Sequence, residues 1–134
     1  MPTLFDPLVV GDLELPNRVI MAPLTRMRSR QPGNIPTELN ATYYAQRASA
    51  GLILTEGVAT SANGLGYART PSIHTPEQIA AWHEVTSAVH AAGGREREGV
   101  RRRAVEDEED FARHAEGFAE QVGGLGGPGI IAVA

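Results

Sequence analysis

Residues 18–94 contain short apolar runs that alternate with amphipathic stripes. Arg18 and the four apolar residues after it run into Pro23, and this predicts a buried strand over residues 18–24 followed by a loop. In residues 37–49 the apolar side chains recur at helical spacing, which predicts a helix with Gly51 at its C′ position. Residues 52–55 predict a second short buried strand. The stripe of the first helix consists of Ala41, Tyr44, Ala45 and Ala48.

The second predicted helix begins with a clear start signal. Thr75 offers a capping hydroxyl, Pro76 suits the first helical position and Gln78 completes a capping box. Its predicted buried face comprises Ile79, Trp82, Val85, Val89 and Ala92, and Gly93 and Gly94 end the helix. The order strand, helix, strand, helix favours a parallel α/β arrangement. Before it, glycine and aspartate at 11–12 separate two short apolar stretches and predict a hairpin over residues 9–15.

The pattern changes after Gly94. Residues 95–110 contain only two apolar side chains larger than alanine, where a third buried strand is expected. We therefore divide the chain into residues 1–94 and a charged, glycine-rich tail, residues 95–134. Phe111, Ala115, Phe118 and Val122 are spaced for an amphipathic helix, so the tail is predicted to be helical at 106–122 with disordered ends.

Composition excludes several classes of function. The chain has 134 residues, a net charge of −4 and no cysteine. It therefore has no overall basic field that would attract nucleic acid, and it offers no thiolate chemistry. The four histidines lack metal-ligand spacing, so we expect no metal site. No apolar run is long enough to span a bilayer and the N-terminus does not look like a secretory signal, so a cytoplasmic protein is the expectation.

Four segments carry a resemblance to a known family. They read RVIMAPLTRMR at 18–28, YYAQRASAG at 43–51, LTEG at 54–57 and TPEQIAAW at 75–82. Over residues 2–94 the chain closely resembles the N-terminal third of the old yellow enzymes, FMN-dependent NADH:flavin oxidoreductases of the ene-reductase type. The resemblance implies an α/β fold, namely the hairpin and first two βα units of a TIM (β/α)₈ barrel. A complete barrel needs about 250 residues, so this barrel is truncated.

The resemblance also implies a cofactor and a reaction. Family members pass hydride from NAD(P)H through FMN to an activated, enone-type alkene. By this resemblance residues 1–94 are a partial FMN-binding region, with Pro23, Leu24, Thr25 and Gly57 as flavin contacts and Tyr67 in the substrate pocket. The family's proton donor and substrate-anchoring residues lie beyond the matching region, so no catalytic residue is assigned.

Each of these residues also has a purely structural interpretation. Thr25 could satisfy a local backbone group, Gly57 could serve a simple turn and Tyr67 could cover apolar surface. Glu56 is predicted to be structural. Since the family's next strand, with a glutamine and a tryptophan–histidine pair, does not follow Gly94, we expect FMN binding to be weak or absent and the chain not to be competent alone. The alternatives are a non-catalytic fragment or pseudogene product, or a small module that self-associates through open strand edges.

Overall fold

The computed structural model describes residues 1–11, 13–94 and 130–133. Its strands and helices, in chain order, are β1 (Leu8–Val10), β2 (Leu13–Leu15), β3 (Ile20–Met21), α1 (Glu38–Ala45), β4 (Leu52–Gly57), a short 3₁₀ turn (Ala62–Gly64), α2 (Pro76–Ala91) and β5 (Ile130–Val133). The strands form a two-stranded sheet, β1–β2, and a three-stranded sheet in the order β3–β4–β5. Neither α1 nor α2 is long and apolar enough to cross a membrane.

The predicted hairpin is confirmed. Strands β1 and β2 pair antiparallel with Val10 opposite Leu13, so the turn between them has two residues. Gly11 has a φ of 56°, a left-handed conformation that glycine adopts without steric cost. The turn glycine therefore allows the tight turn that the sequence pattern indicated.

Strands β3 and β4 pair in parallel, as predicted, but β3 is much shorter than the expected strand over residues 18–24. Only Ile20 and Met21 belong to it. Pro23 has no N–H to donate to a strand neighbour. At the other end, the Asn17 side chain accepts a hydrogen bond from the Val19 amide at 3.0 Å. Regular pairing is therefore limited to the middle of the apolar run.

Helix α2 matches its prediction closely. The Thr75 hydroxyl accepts a hydrogen bond from the Gln78 amide at 3.3 Å, and the Gln78 side chain accepts one from the Thr75 amide at 3.0 Å. Trp82, Val85 and Val89 are buried on the inner face. Ala92 is exposed, contrary to the prediction, because it lies beyond the last helical residue as the C-cap.

Helix α1 begins as predicted but ends early. Thr37 is its N-cap, and Ala45 is its last residue rather than Ser49. Turns follow, so Gly51 is not the C′ residue of this helix, and the predicted role was wrong. Gly51 instead approaches the backbone of Asn17 closely, because its amide donates to the Val19 carbonyl at 2.8 Å at the start of the parallel pair.

The two faces of β4 are covered by different elements, because successive side chains of a strand point to opposite sides. Ile53 joins the main core between the strand and the two helices. Leu52 and Leu54 pack with Leu15 of the hairpin on the other face. The main core consists of Tyr44, Ala48, Ile53, Val58, Ile73, Trp82, Val85 and Val89.

The end of the tail differs from the expectation of an irregular or helical segment. Ile130–Val133 form β5, which pairs antiparallel with β4 and places Val133 opposite Ile53. The three-stranded sheet is therefore mixed rather than parallel. A short run rich in β-branched residues supplies the backbone partner that the outer edge of β4 lacks. The helix predicted at 106–122 lies outside the described residues.

Candidate functional site

Two loops meet where the parallel strands β3 and β4 end. Pro23, Leu24 and Thr25 follow β3, and Gly57 is the last residue of β4. Among the described residues other than its chain neighbours, a methyl group built on Gly57 would meet only the Thr25 hydroxyl oxygen within 4 Å, at 3.7 Å. The structure therefore brings Thr25 and Gly57 together, as expected for residues at the C-terminal ends of neighbouring parallel strands.

The surroundings of Thr25 leave its hydroxyl accessible. Thr25 is exposed, Leu24 is 53% exposed and Pro23 is half-buried. Within the described part of the chain, the Thr25 hydroxyl makes no hydrogen bond. The structural interpretation, in which this hydroxyl satisfies a local backbone group, is therefore not what these residues adopt. A polar donor and a strand end without a side chain therefore lie next to each other.

A buried carboxyl group is hydrogen-bonded to the residue that follows Thr25. Glu56 is fully buried, and its carboxyl oxygen Oε2 accepts a hydrogen bond from the Arg26 amide at 2.8 Å. Oxygen Oε1 accepts from Asn40 Nδ2 at 3.1 Å and from the Tyr44 hydroxyl at 3.4 Å. The Met27 amide also donates to the carboxyl group. Glu56 thus connects the loop after β3 to helix α1.

Burial sets the ionisation of this cluster. Desolvation raises the pKa of Glu56 above its ordinary value, while hydrogen bonds from Arg26, Tyr44 and Asn40 act in the opposite direction. Desolvation also raises the pKa of Tyr44, which keeps its hydroxyl protonated and able to donate. The same hydroxyl accepts a hydrogen bond from the Glu56 amide at 2.9 Å.

Two arginines flank the aromatic ring next to this cluster. The guanidinium of Arg47 lies 3.9 Å from the centroid of the Tyr43 ring, and that of Arg26 lies 4.8 Å from it. Both distances are within cation–π range. The Arg26 side chain is therefore directed to α1 while its amide binds Glu56, and both interactions hold the loop after Thr25.

Tyr67 is not brought into this group. It is 63% exposed, and among the described residues no hydrogen bond or ring contact joins it to Thr25 or Gly57. Its loop is closed at the base by a bridge between Ala59 and Ser72. The predicted role of Tyr67 in a substrate pocket stays a prediction.

Three residues of the site, Glu56, Asn40 and Tyr44, do not stand out as site residues in the sequence. One signal was available: Glu56 directly follows the predicted buried strand over residues 52–55, and an acidic residue at a buried strand position requires hydrogen-bond partners. Its partners come from residues 12 to 30 positions away in the chain. The described residues contain no cluster of three or more His, Asp or Glu that could hold a metal ion.

Comparison with known proteins identifies relatives of this segment. The family model of the NADH:flavin oxidoreductase / NADH oxidase family matches residues 3–96. Flavin oxidoreductase hxnT of Emericella nidulans is 48% identical over 95 residues, which are 68% of this chain and 24% of the relative. The chain therefore spans about a quarter of the length of this curated relative.

Solved structures give the same result. The old yellow enzyme homologue from Zymomonas mobilis aligns with a TM-score of 0.66 and 50% identity, covering 69% of this chain and 26% of that one. Morphinone reductase in complex with tetrahydroNAD aligns with a TM-score of 0.66 and 55% identity, covering 71% and 26%. These neighbours are TIM-barrel enzymes, of which the described residues match one part. The chain belongs to the NADH:flavin oxidoreductase / NADH oxidase family, the family of the old yellow enzymes.

Proposed function

We propose that residues 1–94 form the first two βα units of an FMN-binding barrel and supply one side of its flavin site. The observation that carries this proposal is the free Thr25 hydroxyl beside the side-chain-free end of β4 at Gly57. Active sites of such barrels lie at the C-terminal ends of the strands, where these residues lie. The activity proposed for the complete barrel is hydride transfer from NAD(P)H to an enone-type alkene.

The residues present fit a planar flavin ring. Gly57 lets a ring approach the backbone closely, because no side chain projects from this strand end. The Thr25 hydroxyl is free to donate a hydrogen bond to a ring carbonyl and so stabilise negative charge there. Pro23 and Leu24 offer apolar surface that excludes water. FMN, when bound, supplies the hydride-transfer chemistry; this chain's residues hold and polarise it.

The proposed contribution is a partial one. The described strands β3 and β4 provide contacts to one region of the cofactor, and no described side chain is assigned to its phosphate. No described residue is placed to protonate a substrate. We therefore propose that the chain alone is not catalytically competent and binds FMN weakly.

The first prediction concerns cofactor retention. Purified chain mixed with excess FMN should elute colourless from gel filtration, because a few contacts give a dissociation constant on the order of 1 mM or weaker, about −4 kcal/mol. Absorbance of the eluted protein in the flavin bands measures this, and morphinone reductase, 55% identical over the shared region, is the positive control. Near-stoichiometric FMN on a monomer would contradict weak binding.

A second candidate function is a self-associating, non-catalytic module. It is favoured by two exposed apolar residues, Val19 directly before β3 and Ile20 on β3, which are 43% and 44% exposed. Among the described residues β3 pairs only with β4, so its other edge is open to a further strand. Light scattering on the same gel-filtration run distinguishes the candidates, since this module elutes as a multimer whether or not FMN is added.

The second prediction concerns Thr25 in a complete barrel. In a chimera with residues 1–94 in place of the corresponding part of morphinone reductase, Thr25→Ala should lower the flavin reduction potential. A hydrogen bond to a charged group contributes roughly 1.5–3 kcal/mol. For a two-electron couple about 1.4 kcal/mol corresponds to 30 mV, so the shift should be some tens of millivolts.

Spectroelectrochemical titration of the chimera measures this potential. The matched control is Thr60→Ala, which removes a threonine hydroxyl from another exposed loop position. An equal potential in Thr25→Ala and in the parent chimera would remove Thr25 from the flavin site. A shift in both variants would show that the effect is not specific to the Thr25 position.

A further inference from the structure

We propose that Glu56 is the positioning residue of the flavin contact: its buried carboxyl group holds the loop after β3 so that the Thr25 hydroxyl stays beside Gly57. This inference rests on the proposed function, because it concerns how the same site is held in place. Glu56 itself has no path to a ligand, since it is fully buried. It acts through the backbone of the residues that follow Thr25.

The hydrogen bonds of the carboxyl group divide into two sets. Oε2 accepts the Arg26 amide at 2.8 Å, and Arg26 is the residue directly after Thr25. Oε1 accepts from Asn40 at 3.1 Å and from Tyr44 at 3.4 Å, both on α1. One oxygen thus binds the loop after β3, and the other binds helix α1.

The partners on the helix are themselves fixed. Asn40 Oδ1 accepts hydrogen bonds from the Thr37 amide at 3.0 Å and from the Thr37 hydroxyl at 2.9 Å. The amide group of Asn40 is therefore oriented so that its nitrogen donates to Glu56. A continuous set of hydrogen bonds runs from the N-cap of α1 through Glu56 to the loop that carries Thr25.

The loop conformation shows why an anchor is needed. Met27 has a φ of 55°, in the left-handed region that non-glycine residues rarely adopt. This conformation costs free energy, and it persists only when surrounding contacts enforce it. The Arg26 and Met27 amides both donate to the Glu56 carboxyl group, so the backbone turns around this group. Thr25 enters the turn 3.7 Å from the Cβ position of Gly57.

The substitution Glu56→Gln tests the hydrogen bonds alone, because glutamine has nearly the same size as glutamate. The Arg26 amide on Oε2 and Asn40 Nδ2 on Oε1 both donate, so the NH₂ of a glutamine would face a donor in either orientation. We expect Glu56→Gln in the full chain to speed hydrogen exchange of the Arg26 and Met27 amides about tenfold or more, which corresponds to about 1.4 kcal/mol. Exchange in α2 should remain slow.

The matched control is Glu84→Gln, the same change at an exposed position of α2. It should leave exchange at Arg26 and Met27 unchanged. Equal exchange rates at these two amides in Glu56→Gln and the unaltered chain would overturn the proposal. Faster exchange throughout α2 and β4 as well would also overturn it, because Glu56 would then be a general stability residue rather than a local anchor.

A measurement on the unaltered chain does not depend on folding of a variant. The carboxyl carbon of Glu56 and the amide protons of Arg26 and Met27 should titrate together, with a midpoint above the ordinary value of 4.5. Tyr44, which also bonds to the carboxyl group, stays protonated there, because desolvation raises the pKa of its hydroxyl. Independent titration of the amides and the carboxyl group would overturn the proposal.

FMN at millimolar concentration separates this inference from the proposed function. In the unaltered chain FMN should shift the amide signals of Thr25 and Gly57, and in Glu56→Gln the shift at Thr25 should be lost while Glu84→Gln keeps it. No shift at either residue in the unaltered chain refutes the flavin site, and the exchange data still decide whether Glu56 anchors the loop. A Thr25 shift retained in Glu56→Gln would overturn the positioning role.

Discussion

Replacing Trp82 with alanine should remove most of the stability of the described fold. Trp82, on α2, is 1% exposed and belongs to the main core that α2 forms with α1 and β4. Its ring centroid is 6.3 Å from that of Tyr44. Truncation of a buried tryptophan to alanine typically costs 3–5 kcal/mol, about the lower end of the total stability of a small domain.

Loss of a buried hydrogen bond adds to the destabilisation that the cavity causes. The indole nitrogen of Trp82 donates a hydrogen bond to the Ser72 carbonyl at 3.2 Å, and Ser72 is buried. Loss of the donor leaves that carbonyl unsatisfied at the base of the loop that carries Tyr67. Trp82→Phe separates the two effects, because it keeps an aromatic ring and removes only the donor and part of the volume.

Urea unfolding followed by circular dichroism measures both variants. We expect Trp82→Phe to lower the free energy of unfolding by about 1–3 kcal/mol and Trp82→Ala to be largely unfolded without denaturant. His83→Ala, at the exposed neighbouring position of the same helix, should change stability by less than about 0.5 kcal/mol. A folded Trp82→Ala with nearly unchanged stability would mean that α2 does not pack on this core.

The elements that local sequence predicts well are those set by local physics. The start of α2 depends on Thr75, Pro76 and Gln78, which lie within four consecutive positions, and the structure has this cap. The hairpin depends on Gly11 between two short apolar stretches. In both cases a few adjacent residues determine the backbone conformation, so the pattern alone was sufficient.

The elements that were mispredicted depend on contacts between distant residues. Gly51 looked like a helix C-terminus, but the helix ends at Ala45 and the glycine is needed for contact with Asn17. Strand β5 pairs with β4 from the far end of the chain, which no local pattern could indicate. The spacing of residues along the sequence does not determine which distant backbone segments pair with each other.

The candidate site also has one part that the sequence predicts and one part that depends on distant contacts. Thr25 and Gly57 follow from the rule that the ends of parallel strands meet, and the structure places them together. The group that holds them did not follow from the sequence, because the partners of Glu56 come from the loop after β3 and from α1. A buried acid is recognisable in a strand pattern, but its partners are not.

Gly51→Ala should also be strongly destabilising, for a steric reason at the junction of β3 and β4. The Gly51 amide donates to the Val19 carbonyl at 2.8 Å and to Asn17 Oδ1 at 2.9 Å, and the Asn17 side chain donates to the Ser49 carbonyl at 3.0 Å. A Cβ at Gly51 would overlap the backbone carbonyl oxygen of Asn17 and lie 3.0 Å from Asn17 Oδ1. The overlap can be relieved only if the strands move apart.

We expect Gly51→Ala to lower the free energy of unfolding by about 3 kcal/mol, the upper end of the range for overpacking. The cost is high because the backbone, rather than a flexible side chain, must move. Gly66→Ala is the matched control: a Cβ there meets nothing within 4 Å, and its φ is not left-handed. That variant should be as stable as the parent chain or up to about 1 kcal/mol more stable, because alanine restricts the unfolded state. Urea unfolding of both variants gives the comparison. If Gly51→Ala were as stable as Gly66→Ala, Asn17 would not lie against Gly51, and the placement of β3 beside β4, on which the meeting of Thr25 and Gly57 depends, would be wrong.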